Sequence, residues 1–250
     1  MSKVVHRKKR LSSFKLIVLG FAAVIFVGAL LLMLPVSSVS GTQTPFHEAL
    51  FTSVSAVCVT GLVVQDTGSY WSSFGQAVIL LLIQTGGLGV ITVAVSFAIL
   101  SGRKISLMQR STMQDAISAP KIGGIVRLTK FSVQGTLFIE LLGMTAMLPV
   151  FFRDYGIKGI WMAAFHSVSA FCNAGFDILG FEKPDNSLIG YANDPLVCIP
   201  VALLIIVGGL GFIVIHNIYY AKLFPSLKKK KRLPLNLHSR VAICMTVALL

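Results

Sequence analysis

Charge is scarce in this sequence: Asp, Glu, Lys and Arg together make up 12% of the 250 residues, about half the share usual in soluble domains. That scarcity excludes an ordinary water-soluble globule and, with 55% hydrophobic residues, places the chain in a bilayer. Cysteine is also thin. Cys58, Cys172, Cys198 and Cys244 stand far apart with no CxxC pair, which excludes a zinc site and a disulfide framework and leaves them as small buried side chains. No His, Asp, Glu or Ser constellation has the look of catalytic machinery, so the chain reads as a non-enzyme.

What is present in excess is basic charge, 22 Lys and Arg against nine acids, for a net charge of +13. Nineteen of the 22 fall in three blocks: Lys3, Arg7, Lys8, Lys9, Arg10 and Lys15; Arg103, Lys104, Arg110, Lys121, Arg127 and Lys130; and Lys222, Lys228, Lys229, Lys230, Lys231, Arg232 and Arg240. Each block flanks an apolar run of membrane length. That is the signature of the positive-inside rule and not of a nucleic-acid-binding face, so no nucleic acid partner is expected.

Four complete spans are expected, at residues 14–34, 74–100, 131–152 and 195–221, with a fifth beginning at 241 and cut off at 250. The first, at 21 residues, is too long for the apolar part of a signal peptide and long enough to cross the hydrocarbon layer. Ten apolar residues at the end cannot cross, so the chain is read as a fragment; the other reading is an interfacial last segment. The basic blocks place 1–13 in the cytoplasm as a basic N-terminus, with 101–130 and 222–240 as cytoplasmic loops. Trp71 with Tyr70, and Trp161 with Tyr155, then fall in outer connections at headgroup depth. The protein is accordingly expected to be a multi-pass protein of the cell membrane.

The outer connections are too apolar to be solvated loops. No Lys or Arg occurs between positions 35 and 73, and the runs 46–64 and 160–176 are too short to add crossings. Such runs are expected of re-entrant elements that enter and leave on one side. Residues 49–62 read ALFTSVSAVCVTGL and residues 163–176 read AAFHSVSAFCNAGF, eight of fourteen positions being identical at an offset of 114. The same offset carries Met33-Leu34-Pro35 onto Met147-Leu148-Pro149, and a slightly longer one carries Gly86-Gly87-Leu88-Gly89 onto Gly208-Gly209-Leu210-Gly211. The fold class expected is therefore an all-α membrane protein of parallel repeats, each a transmembrane helix, a re-entrant pore loop and a transmembrane helix. The first repeat covers 14–100, the second 131–221, and a third begins at 241–250. Two crossings per repeat bring successive repeats in from the same side, around an axis along the membrane normal; an inverted-repeat carrier needs an odd number.

In the first loop Thr44 is expected to cap, and Pro45 to open, a short helix running to about residue 56. Its C-terminal end, the negative pole of the helix dipole, favours a cation beyond it. The chain then returns as extended backbone through Cys58, Val59, Thr60, Gly61 and Leu62, and in the second repeat through Cys172, Asn173, Ala174, Gly175 and Phe176. A ring of backbone carbonyls there can replace a cation's water shell, with Gly61 and Gly175 permitting the backbone turns this needs. Neither stretch holds an acidic residue, so carbonyls and not carboxylates are the expected selecting groups.

With a short helix followed by VCVTGL or FCNAGF, and a single glycine per loop, the chain resembles the Trk/Ktr/HKT potassium-transport superfamily, and over essentially its whole length the first half of a Ktr-type membrane subunit. The resemblance implies four such repeats around one pore, filter glycines in each, and potassium as the permeant ion held at the filter carbonyls. It also implies a homodimer with a cytosolic nucleotide-binding regulatory ring. No cofactor is expected in this chain, and the function implied is potassium uptake. A sodium-passing or sodium-coupled relative, and a membrane receptor or scaffold with purely structural loops, are the alternatives.

Glu140 falls near the centre of the third span, where an ionisable group is expensive; it is either functional or a carboxyl that is protonated or paired with a polar neighbour. The two Gly-Gly-Leu-Gly motifs are either hinges or small surfaces for close helix packing, the second being expected. Gln84, His216 and Asn217 are expected to hydrogen-bond between helices. The run 228–232 is expected to set topology or to meet anionic membrane lipids. The loop 101–130, with Gly123 and Gly124, would be exposed to a cytosolic regulator.

Overall fold

A computed structural model describes residues 13–100, 107–117, 125–180, 187–218 and 236–249. Most of the basic residues lie outside these stretches, among them Lys3, Arg7, Lys8, Lys9, Arg10, Arg103, Lys104, Lys121, Lys222 and 228–232, together with Gly123 and Gly124. Among the described residues the chain is helical, with no strand and a single isolated bridge between Ser38 and Trp71. The helices are α1 (Ser13–Leu32), α2 (Phe46–Cys58), α3 (Ser73–Leu88), α4 (Val90–Leu100), α5 (Leu107–Ile117), α6 (Ile125–Tyr155), α7 (Lys158–Phe171), α8 (Pro195–Leu210), α9 (Phe212–Ile218) and α10 (Leu237–Leu249).

The packing has the same plan twice. Helices α1, α2 and α3 pack on one another pairwise, and so do α6, α7 and α8. The small residues of the long helices make this possible. A Cβ on Gly28 would lie 2.5 Å from Ser53 Oγ and 2.8 Å from Leu82 Cδ1, and one on Gly143 would lie 2.7 Å from Ser167 Oγ and 2.6 Å from Leu204 Cδ1. Those serines donate into the same long helices, Ser53 Oγ to Ile25 O at 2.7 Å and Ser167 Oγ to Glu140 O at 2.6 Å. The two trios join where α3 meets α7, and Trp161 Nε1 donates to Gln76 Oε1 across that junction at 2.9 Å.

Phe14–Leu32 and Val126–Tyr155 are long and apolar enough to cross a membrane, and Pro195–Leu210 with Phe212–Ile218 makes a third if the bent pair counts as one span. Their outer faces carry Leu19, Phe26, Leu30, Phe138, Leu141, Leu203 and other exposed large apolar side chains, which water would not favour. Expected spans two and four are not continuous. Gly89 (φ 82°) separates α3 from α4, and Gly211 (φ 75°) separates α8 from α9, whose axes differ by 91°. Positive φ is open to glycine and closed to the α-helix, so the last glycine of each Gly-Gly-Leu-Gly motif breaks the helix.

Other expectations are corrected locally. Pro45 is the cap residue of α2 and not its first turn; its carbonyl accepts from Glu48 N and Ala49 N, while the Thr44 hydroxyl accepts from Tyr70 Oη at 3.2 Å. Met33-Leu34-Pro35 leaves α1, because Ser37 Oγ binds back to Leu31 O and Ser38 pairs with Trp71. Its counterpart Met147-Leu148-Pro149 stays inside α6, followed by Val150 and Phe151, both buried against the core. Trp71 is fully buried, and the half-buried Trp161 donates its indole N–H to Gln76. Cys58, Cys198 and Cys244 are exposed and not buried; all four cysteines are free thiols.

Candidate functional site

Both short helices, α2 and α7, end in the same way. Val59 (φ 57°) and Asn173 (φ 57°) turn the backbone into the left-handed region. The next amide then bonds back five residues, Thr60 N to Ser55 O at 3.0 Å and Ala174 N to Ser169 O at 2.8 Å. This is the hydrogen bond of a Schellman C-cap, usually built on glycine. Asparagine tolerates the left-handed conformation, whereas valine, β-branched, is strained there by roughly 1–3 kcal/mol. Two residues further on, Gly61 (φ 73°) and Gly175 (φ 71°) repeat the positive φ, the turn expected of them.

Serine side chains fix the loops from below. Ser55 Oγ lies 2.8 Å from Thr60 Oγ1, and Ser169 Oγ donates to Phe176 O at 2.6 Å. The second bond occupies part of the Phe176 carbonyl, which the sequence had grouped with the ion-facing ones. The carbonyls of Cys58, Val59, Thr60, Gly61 and Leu62, and of Cys172, Asn173, Ala174 and Gly175, have no donor among the described residues. Among these residues Cys58, Thr60, Leu62, Asn173 and Gly175 are exposed, and only Ala174 is buried.

The fold brings the two loops together. A Cβ on Gly61 would lie 2.7 Å from Ala174 O, and one on Gly175 would lie 3.5 Å from Gly61 Cα. The approach is close enough that only glycine fits at Gly61. Beyond the glycines the chains pack again, with Gly68 against Ile178 and Gly180 against the Asp66 carboxylate. On the opposite side, below Cys172 and Asn173, a cavity of about 280 Å³ is lined by Gly87, Thr92, Ser132, Phe171, Gly208 and Phe212 among others.

The helices that come after each loop approach it through glycine. A methyl at Gly86 would collide with Val57 O, and one at Gly208 with Phe171 O, which are equivalent carbonyls at the ends of α2 and α7. The expected packing role of the motif's first glycine is thus in place, beside the helix-breaking role of its last. Cover differs between the loops: Leu62 is 60% exposed and its counterpart Phe176 2%, the latter lying beside His166 and Ala170 of α7, Leu188, and Val201 and Ile205 of α8.

Gln84, Glu140 and Asn217 are paired between helices, Gln84 Nε2 to Glu140 Oε2 at 3.2 Å and Asn217 Nδ2 to Ser239 Oγ at 2.8 Å, as expected. His216 meets Phe131 edge-on at 5.2 Å. No group of three His, Cys, Asp or Glu suited to a metal ion occurs among the described residues. At the C-terminal end of α6, the Asp154 carboxylate accepts from the Tyr191 hydroxyl at 3.0 Å, and burial, with Tyr155 and Asp154 beside it, pushes that phenol above the ordinary value. Sequence reading did not single out Val59 for its strain or Ser55 and Ser169 as loop clamps. The shared Ser-Val-Ser of the two repeats was the available signal.

The chain matches the family described as TrkH, cation transport protein, over residues 9–249. It is 41% identical over 244 residues to the potassium/sodium uptake protein NtpJ of Enterococcus hirae, covering 97% of this chain and 51% of that protein. It is 38% identical over 236 residues to the Ktr system potassium uptake protein B of Bacillus subtilis, covering 94% and 50% respectively. The Ktr system potassium uptake protein D of the same organism is 33% identical over 233 residues. The chain spans about half the length of these relatives. With a match running along nearly its whole length, the chain belongs to the TrkH family of cation transport proteins.

Proposed function

We propose that this chain forms half of a potassium-uptake pathway, in which 46–64 and 160–176 are re-entrant pore loops and the backbone carbonyls after α2 and α7 are the ion's ligands. The observation that carries this reading is the pairing of two loops, each with unpartnered carbonyls and two positive-φ residues, brought together at Gly61 and Gly175. Non-helical backbone at membrane depth is tolerated where it lines a wet cavity, and carbonyl oxygens there can substitute for a hydration shell. The C-terminal ends of α2 and α7 add negative dipole ends beside the ion.

Two loops cannot surround an ion. The reading therefore requires two further loops, from later repeats around the same axis, which accords with relatives about twice as long. The basic segments are placed in the cytoplasm, with the N-terminus, and the protein in the cell membrane. A homodimer carrying a cytosolic nucleotide-binding ring is proposed as the assembly; two relatives are named as members of a Ktr system. A sodium-passing pathway is the second reading, since one relative is named for potassium and sodium alike.

The test is rubidium or potassium uptake, with sodium as competitor, by the full-length gene product in cells lacking their own potassium uptake, comparing the wild type with Gly61→Ser. Selective uptake that loses its preference in the variant supports the filter. Equal uptake in both, or none from a well-expressed wild type, leaves the loops structural, and uptake of sodium without preference supports the second reading.

A further inference from the structure

Gln84 belongs to the first trio, yet both ends of its amide reach the second. Its Nε2 donates to Glu140 Oε2 on α6 at 3.2 Å, and its Oε1 accepts from the Cys172 thiol at 3.8 Å. Cys172 directly follows α7 and opens the second loop. The orientation of the amide is set by its partners, since the thiol offers a proton and the Glu140 oxygen it meets accepts one. Gly87, one turn further along α3, faces the same cysteine: a Cβ there would lie 2.5 Å from Cys172 Sγ. Gln76, two turns earlier, takes the Trp161 bond. One stripe of α3 therefore forms the seam with α7.

Glu140 is the costly member. It is 6% exposed, its main-chain carbonyl takes the Ser167 hydroxyl, and its Oε1 has no partner among the described residues. Burying a carboxyl this way is unfavourable unless it does something that an apolar residue cannot. The first repeat has no such set. At the loop offset Glu140 corresponds to the exposed Phe26, at the later offset Gln84 corresponds to Ile206, and Cys58 is exposed.

We propose that Gln84 and Glu140 are positioning residues for the second loop: the chain Glu140–Gln84–Cys172 fixes where Cys172 stands, and through it the carbonyls of Asn173 and Ala174, and so contributes to discrimination between potassium and sodium. The inference rests on the pore-loop reading above. Glu140 anchors the Gln84 amide from a helix that also grips α7 through Ser167, so cysteine, amide and carboxyl move as one unit. Neither residue touches the ion; both act through the loop backbone.

The experiment uses the full-length protein in cells lacking their own potassium uptake, with rubidium uptake measured against increasing sodium and membrane abundance measured alongside. Gln84→Leu and Glu140→Leu are expected to lower the rubidium-over-sodium preference about fivefold to tenfold, the factor equivalent to one net hydrogen bond. Glu140→Gln, whose amide oxygen still accepts from Gln84, is expected to restore it. A purely structural role predicts reduced abundance with an unchanged preference, and that result overturns the proposal. Gly175→Ser separates the two levels. If it shifts the preference while Gln84→Leu does not, the positioning role falls and the loop reading stands; if neither shifts it, the loop reading falls and the positioning role with it. Should Glu140→Leu not reach the membrane, Gln84→Leu, at a half-buried site, decides.

Discussion

Replacing Gly86 or Gly208 with alanine sets two opposing effects against each other. In a helix interior alanine is favoured over glycine by about 1 kcal/mol. At these two positions, however, the added methyl runs into a backbone carbonyl oxygen, Val57 O or Phe171 O, at the end of α2 or α7. A carbonyl in the last turn of a helix cannot rotate away as a side chain can, so α3 or α8 must retreat. Overpacking of this kind costs about 1–3 kcal/mol, and a main-chain collision belongs at the upper end. The net expectation is a loss of about 2 kcal/mol at each site, lowering Tm by roughly 2–4 °C per kcal/mol in a domain of this size. Gly20→Ala is the internal control: its Cβ would meet only one methyl, Val90 Cγ1, at 3.3 Å, which a shift of a few tenths of an ångström relieves, so the propensity gain should offset the contact and Tm should hold. Thermal unfolding of the detergent-solubilised full-length protein reads all three variants. If Gly86→Ala and Gly208→Ala behave like Gly20→Ala, the close approach of the succeeding helix to the loop is refuted; if one fails and the other does not, the equivalence of the repeats is refuted.

Val59→Asn should raise Tm by the equivalent of about 1 kcal/mol, because asparagine relieves the left-handed strain that Asn173 already avoids, whereas Val59→Ile should not. Ser53→Ala and Ser167→Ala should each cost about 1 kcal/mol, with near-equal Tm losses, since each removes one hydrogen bond to a long helix at equivalent places. Trp161→Phe should weaken protection of α3 in hydrogen exchange, because it removes the bond to Gln76 Oε1 that ties α3 to α7 and leaves Gln76 only its Nε2 bonds to Thr67 O and Trp71 O.

Much of the site was legible because it is written twice. The shared Ala-Phe-Ser-Val-Ser-Ala-Cys-Gly positions point to the same short helix, the same cap and the same glycine, and Gly61 and Gly175 take positive φ as their isolation in an apolar stretch suggests. Hydropathy could not show that spans two and four break, since an apolar run looks alike whether straight or turned through a right angle. The signal was the third glycine of each motif, after the packing glycines, and only its φ distinguishes the two uses. Nor could periodicity separate Pro35 from Pro149, because the difference is made by the residue two positions later, Ser37 binding back to α1 in one case and Phe151 accepted by the core in the other. The Glu140–Gln84–Cys172 chain joins residues 56 and 88 positions apart and has no counterpart in the first repeat, so comparing the repeats could not reveal it.

In both loops the positive-φ strain and the unpartnered main-chain carbonyls fall in the same short stretch, and the surrounding bonds explain why those stretches keep their shape. Each loop is clamped where it leaves its helix, by the amide of Thr60 or Ala174 reaching back five residues, and clamped again by Ser55 on the Thr60 hydroxyl or Ser169 on the Phe176 carbonyl. Val59 and Gly61 in the first loop, and Asn173 and Gly175 in the second, all have positive φ, and the carbonyls of these stretches other than that of Phe176 meet no donor among the described residues. A loop left free would relax by turning those carbonyls toward the nearest N–H, each such hydrogen bond being worth about 0.5–1.5 kcal/mol net. The serines and the glycines after them prevent that relaxation at both ends. A site of this kind is stable only if something outside the loop satisfies the oxygens, and water or a partly dehydrated cation does so without demanding any side chain. On the pore-loop reading proposed above, such loops would need no acidic residue, and Ser55 and Ser169 would belong to the site by holding its backbone.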